Sequence, residues 1–245
     1  MRSLLKKAPS LVFFKISVFT HFMNNIYLST SIFCIFAKIN SPGFSPLTSM
    51  KIAVIKYNAG NIRSVTHALR RLGVEPEITD NERLIRNADK VIFPGVGEAS
   101  TTMDYLRQRG LDKVIKNLVQ PVLGICLGQQ LLCRRSSEGD AECLGIFNVP
   151  VLKFEPRLWQ DKVPHMGWNT IENYSGPLYK GFVKPEHVYF VHSYYVPVCQ
   201  WTAAVSDYIT LFSASLRKDN YFATQFHPEK SGDVGEKILK NFLDL

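Results

Sequence analysis

From Met50 onward, short apolar runs alternate with stretches whose apolar residues recur every three or four positions. This pattern predicts a strand over 51–57, a helix over about 61–72, a strand over 74–78 and a helix over 81–87. A strand over 90–93, helices within 98–118, a strand over 121–125 and a helix over 128–135 follow. Unbroken strand–helix alternation predicts a parallel sheet wound on both faces, because each parallel crossover needs a connection long enough to return the chain to the same sheet end. From Leu144 to about Gln225 the spacing changes. Apolar runs at 146–154, 187–191, 202–206 and 210–216, broken by Pro, Gly and Asn, predict a β-rich, more antiparallel half. The stretch from Gly232 to Leu243 places Val234, Ile238 and Phe242 four residues apart, as on one face of a helix. The expected fold is α/β: a doubly wound, mostly parallel sheet flanked by helices, with a partly antiparallel C-terminal half. No repeat or low-complexity linker interrupts 50–245, which reads as one domain.

Residues 1–49 break this pattern. They carry five basic residues (Arg2, Lys6, Lys7, Lys15 and Lys38) and no acidic one; removing them from the chain's net +8 leaves +3 for 50–245. The remaining positive charge is scattered among acids and forms no basic stripe interleaved with aromatics, so nucleic acid is not an expected partner. The uncharged run Ile16–Ala37 has the length of a membrane span, but its asparagines, histidine and hydroxyls make a poor one. A signal peptide would need a cleaner apolar segment, and a transit peptide more arginine. The favoured expectation is that Met50 is the true start, since Met50-Lys51-Ile52-Ala53-Val54-Ile55 opens directly on a core strand; a disordered or membrane-associated extension is the alternative.

The densest chemical signal is Gly124-Ile125-Cys126-Leu127-Gly128, between the apolar Pro121-Val122-Leu123 and the helical Gln129-Gln130-Leu131-Leu132. A nucleophile set between glycines at a strand-to-helix turn matches the elbow by which α/β hydrolases expose a serine. The glycines permit a tight turn and close helix–strand packing, and the helix N-terminus favours a thiolate. A small buried cysteine fits the same string. A thiol nucleophile needs a base held in place by a third group. Tyr221–Phe226 reads as a strand running into His227-Pro228-Glu229, which puts an imidazole at a strand end with a carboxylate two residues on. A solvated histidine in a capped loop also fits. Attack on a carbonyl further requires donors for the oxyanion. The backbone N–H of Leu127 supplies one, and Pro94-Gly95-Val96-Gly97, after the apolar Lys90–Phe93, is a candidate for the second or an ordinary βα loop.

These pieces, in this order, resemble the class I (triad) glutamine amidotransferases. Tyr57-Asn58-Ala59-Gly60-Asn61-Ile62-Arg63-Ser64-Val65, Val163-Pro164-His165-Met166-Gly167-Trp168-Asn169, Tyr189–Tyr195 and Gln225-Phe226-His227-Pro228-Glu229-Lys230-Ser231 narrow the resemblance. They are similar to the glutaminase subunits that serve histidine biosynthesis. The resemblance covers essentially all of 50–245 and implies a flavodoxin-like sheet. It implies Cys126 as the nucleophile that forms a glutamyl thioester, His227 as the proton carrier and Glu229 as its orienting carboxylate. Gly95, Val96 and Leu127 would form the oxyanion hole, completed only when the partner is occupied. Gln130, Glu138, Ser193 and Tyr194 would hold the amino-acid portion of glutamine. The implied partner, in a heterodimer, is a cyclase subunit with a (β/α)₈ barrel that receives ammonia through a channel and makes imidazole glycerol phosphate and AICAR. Asn61 and Lys230, with Tyr194 nearby, are expected at that interface. Two departures stand out: Asn58-Ala59 where glycine commonly follows the tyrosine, and Glu98-Ala99-Ser100 where a small residue and phenylalanine are common.

Five cysteines (Cys34, Cys126, Cys133, Cys143 and Cys199), without a C-x-x-C, argue against a disulfide framework and against a zinc site. No metal or cofactor is expected, and a reducing cytoplasmic setting is. Cys133, seven residues after Cys126 on the same predicted helix, reads as core, and His192 as structural or near the interface. The competing functions are a glutaminase serving another synthase of the anthranilate or aminodeoxychorismate type, a cysteine hydrolase of peptides, and a non-catalytic interaction protein of the same fold.

Overall fold

The computed structural model describes residues 50–57 and 61–245. The expectations placed on residues 1–49 and on the Asn58-Ala59 departure lie outside the described residues. In chain order the first half contains β1 (Ile52–Ile55), α1 (Ile62–Arg71), β2 (Glu77–Thr79), α2 (Glu82–Arg86), β3 (Lys90–Phe93), α3 (Ala99–Gln108), α4 (Leu111–Lys116), β4 (Val122–Ile125) and α5 (Leu127–Leu132). The second half contains β5 (Cys133–Ser136), β6 (Ala141–Glu142), β7 (Phe147–Lys153), β8 (His165–Ile171), β9 (Glu186–His192), β10 (Tyr194–Tyr195), β11 (Thr202–Tyr208), β12 (Thr210–Lys218), β13 (Tyr221–Thr224) and α6 (Gly232–Leu243).

Every residue of β1, β3, β4 and β13 is buried, as strands covered on both faces require. They are the centre of a seven-stranded sheet in the order β11-β12-β13-β4-β3-β1-β2. Pairing is parallel from β2 through β13 and antiparallel at β13-β12 and β12-β11. Alternate residues of one strand go to opposite cores. Ala53 and Ile55 pack with Met103, Leu106 and Ile115 from α3 and α4, whereas Ile52 and Val54 pack with Leu69 of α1 and Ile238 of α6. Local chemistry fixes the helix starts. Asn81 caps α2 by accepting from the Leu84 N–H at 3.2 Å, and Glu98 caps α3 by accepting from the Thr101 N–H at 3.1 Å. The Glu98 departure is therefore a helix cap.

Two expectations change, and one strand is new. The helix predicted over 128–135 ends at Leu132. Cys133 turns extended and opens β5, which pairs with β7, so Cys133 is core, as expected, but not on the helix that follows Cys126. The strand predicted over 74–78 is three residues, Glu77–Thr79, because Gly73 and Val74 are used to end α1, the Val74 N–H returning to Leu69 O at 3.0 Å. Finally, β8 and β9 form a separate two-stranded sheet that the apolar pattern does not announce at 165–171. In β8 the pattern is inverted: His165 is buried while Met166 and Trp168 are exposed. No helix among the described residues is long and apolar enough to cross a membrane.

Candidate active site

Strands β4 and β13 lie side by side and parallel, with Ile125 opposite Thr224. Both chains therefore leave the sheet at the same edge, one into Cys126 and the other into His227. Ligands on open α/β sheets bind at this carboxyl edge. The Cys126 N–H donates to Thr224 O at 2.7 Å, which ties the two strand ends together.

The strain of the elbow sits on the cysteine. Cys126 has φ 55° and ψ −108°, a region that costs a non-glycine residue roughly 1–3 kcal/mol. Its flanking glycines serve close approach. A Cβ at Gly128 would lie 2.0 Å from Phe93 O, and one at Gly124 would lie 2.8 Å from Leu132 Cδ1. Around the sulfur, Gln225 Nε2 is 3.7 Å away and Val191 O is 3.8 Å away. Gln225, fully buried beside the sulfur, is a residue that sequence reasoning used only as part of a motif.

His227 is fully buried, with its N–H on Tyr189 O at 3.0 Å and its Nδ1 2.8 Å from Glu229 Oε1. The short 3₁₀ turn Pro228–Lys230 brings the carboxylate back beneath the ring. Burial opposes charge on this imidazole, but an anion at Cys126 and the Glu229 carboxylate outweigh it and raise the pKa. His227 Nε2 is buried with no hydrogen-bond partner among the described residues. Asn61, expected near the partner face, is buried, and its Nδ2 donates to Glu229 Oε1 at 3.1 Å. Lys230 is exposed, its Nζ 6.0 Å from the centroid of the Tyr189 ring. Tyr189 in turn meets Trp168 edge-on at 6.2 Å.

The loop 94–97 is in a conformation that does not offer an oxyanion hole. The Leu127 N–H, expected as one of the oxyanion donors, donates to Gly95 O at 3.4 Å. Tyr57 anchors the same loop by donating its hydroxyl to Pro94 O. Burial, reinforced by an anion at Cys126, pushes the Tyr57 pKa up and keeps that proton in place. A Cβ on Gly95 would meet Gly128 N, Leu127 Cβ and Tyr57 Oη, each at 2.7 Å.

A cavity of about 300 Å³ opens at the sulfur, lined by Val96, Leu127, Gln130, Glu138, Ser193 and Tyr194 among others. The four residues expected to hold glutamine thus converge with Cys126, although they come from α5, the turn after β5 and the β9–β10 corner. Gln130 Nε2 is spent on Tyr194 O and Gln225 Oε1, both at 3.0 Å. Glu138 accepts from the Ala99 N–H at 2.9 Å, and burial raises its pKa. His192 and Pro164 also line the cavity, a placement the sequence did not single out. A larger cleft of about 410 Å³ at Ser137, Lys153 and Arg157 holds no cysteine or histidine.

The chain matches the family described as glutamine amidotransferase class-I over residues 53–245. A relative from Bacteroides thetaiotaomicron, named imidazole glycerol phosphate synthase subunit HisH, is 64% identical over 196 residues, 80% of this chain and 100% of that protein. A protein of the same name from Photorhabdus laumondii is 44% identical over 203 residues, again 80% of this chain and 100% of that protein. Among solved structures, PurLQS from Thermotoga maritima has a TM-score of 0.59 at 17% identity, covering 80% of this chain and 98% of that one, a likeness of fold alone. With the elbow, the histidine–glutamate pair and the cavity meeting at one sheet edge, the chain belongs to the class I glutamine amidotransferases and, within them, to the family of HisH subunits.

Proposed function

We propose that residues 50–245 form the catalytic domain of a glutaminase subunit that hydrolyses glutamine to glutamate and ammonia and delivers the ammonia to a cyclase in histidine biosynthesis. The observation that carries this reading is the convergence of Cys126, His227 and Glu229 on two adjacent parallel strand ends, beside a cavity that also receives Gln130 and Glu138. Glu138 and the oxygen of Gln130 suit the α-ammonium group of glutamine, and the Ser193–Tyr194 corner its carboxylate end. The Cys126 thiolate attacks the side-chain amide carbon, and His227 gives its proton to the departing nitrogen, releasing ammonia and leaving a thioester. Water then adds to the thioester with His227 as base, and glutamate leaves.

The tetrahedral intermediates need two donors. Rotating the peptide between Gly95 and Val96 removes the Gly95 carbonyl from the Leu127 N–H and turns the Val96 N–H toward the cavity, so one motion supplies both. We assign this rotation to occupancy of the partner, which makes hydrolysis conditional and keeps ammonia from being released where it would be protonated and diluted. The partner is a cyclase subunit of (β/α)₈ form seated against Met166, Trp168, Tyr189 and Lys230, with Asn61 behind them on Glu229. Exposed Met166 and Trp168 on one strand fit such a face. The setting is the cytoplasm, consistent with a working thiol. The test is glutamate release by the purified chain, alone and with a cyclase barrel plus its nucleotide substrate, against Cys126→Ala. Hydrolysis that appears only with the occupied barrel supports the reading; binding without any Cys126-dependent hydrolysis overturns it.

A further inference from the structure

Strand β8 turns His165 inward, and in register with it across the two-stranded sheet stands His192, the last residue of β9. His192 Nδ1 lies 2.7 Å from Tyr194 O. A carbonyl only accepts, so Nδ1 carries the hydrogen and Nε2 of the neutral ring is left as an acceptor. His165 Nδ1 is 3.0 Å from that Nε2 and therefore donates to it, leaving its own Nε2 to accept from Asn169 Nδ2 at 3.3 Å. The second hydrogen of that amide goes to Asp207 O at 2.9 Å. The two tautomers are thus set, one after the other, by a single backbone carbonyl.

An aromatic shell encloses the pair. His165 is stacked between Phe190 and Tyr208, at 4.8 and 3.9 Å between ring centres, and His192 packs on Phe154 and Phe212 at 5.4 and 5.3 Å. The titratable groups near the pair are Tyr208 on His165 and His227 beyond His192, and among the described residues no carboxylate bonds to either ring. Burial pulls His165 down to about 4 and His192 to about 3, so both are neutral at pH 7. Packing alone in such a shell is served as well by phenylalanine. What imidazoles add is a directed chain of hydrogen bonds, and its end is the cavity. The Tyr194 carbonyl that His192 holds is the one that Gln130 Nε2 also holds, and Gln130 is linked through Gln225 to the Cys126 sulfur.

We propose that His165 and His192 are positioning residues for glutamine: a neutral, tautomer-locked pair that fixes the Ser193–Tyr194 corner and, through its carbonyl, the amide of Gln130. The proposal rests on the glutaminase reading and adds to it two residues that do not touch the reacting atoms. His192→Phe removes both hydrogen bonds, whereas His192→Asn restores an N–H near the position of Nδ1. With the full chain in complex with an occupied cyclase, His192→Phe raises KM for glutamine roughly tenfold, the worth of one or two neutral hydrogen bonds, with a smaller change in kcat. His192→Asn recovers most of that loss. Unchanged KM in His192→Phe, or equal KM in the two variants, overturns the proposal. Histidine ¹⁵N spectra of the unmodified chain test it without any variant: both rings are expected as Nδ1–H tautomers that do not titrate between about pH 5.5 and 8. An Nε2–H tautomer or a cation in either ring overturns it. A wild-type complex that hydrolyses no glutamine sinks the glutaminase reading and the pair's role together, while an active wild type with an indifferent His192→Phe sinks the pair's role alone.

Discussion

On the triad side of the cavity the groups are held from several directions, whereas on the loop side the donor meant for a developing anion is tied to a carbonyl. Cys126 is bonded through its N–H to β13, His227 through its N–H to β9, and Glu229 Oε1 receives both His227 and Asn61. Across the cavity, Gly95 O occupies the Leu127 N–H, and the loop's firm anchor is the Tyr57 hydroxyl on Pro94 O. On the proposed reading the nucleophile, base and orienter are in place, yet the charge they would generate has nowhere to go. If that reading holds, a separation of this kind lets the protein hold its reactive groups assembled and still be idle.

Breaking the triad side has the largest effect. Cys126→Ala is expected to lower glutamine hydrolysis by about 10⁴-fold or more, with complex formation and ammonia-dependent synthesis by the cyclase intact. Loss of complex formation in the same variant would mark Cys126 as structural. Glu229→Gln keeps the volume and removes the charge that favours protonated His227; kcat for glutamine should fall by roughly 10²- to 10⁴-fold with KM little changed. A thermal melt of Gly128→Ala tests the joint between the two sides, where a Cβ would collide with Phe93 O; destabilisation of roughly 1–3 kcal/mol is expected, and an unshifted melting temperature would contradict the close approach. The smallest effect has the opposite sign. Tyr57→Phe frees the Pro94 carbonyl, so hydrolysis without partner should rise by about two- to fivefold, as the loss of one hydrogen bond permits. A fall in that basal rate would show that Tyr57 holds the loop ready instead of closed.

Local chemistry was legible where it was contiguous. The elbow, the His-Pro-Glu and the glycine loop each occupy a few neighbouring residues, and the parallel half follows from its alternation of strand and helix. Less legible was what the sheet joins late. Nothing in Tyr221–Thr224 announces that β13 slides in beside β4, although this pairing brings His227 to Cys126. Residues 165–171 were opaque for another reason: β8 buries a histidine and exposes methionine and tryptophan, so hydropathy points the wrong way. The bond of Asn61 to Glu229 was not legible because an asparagine at a helix start reads equally as a cap, a contact or, as found, a donor. His192 was read as structural or interfacial, and no pattern of one residue could reveal that its tautomer is set two residues away.

The contact between the Leu127 N–H and Gly95 O is a long one, at 3.4 Å. A hydrogen bond of ordinary strength contributes about 1 kcal/mol net, equivalent to about fivefold in an equilibrium. Releasing this contact therefore accounts for a modest gain in rate and no more. A partner that accelerates hydrolysis by several orders of magnitude must also stabilise the rotated peptide itself, so the size of the activation measures how unfavourable that second conformation is in the isolated chain.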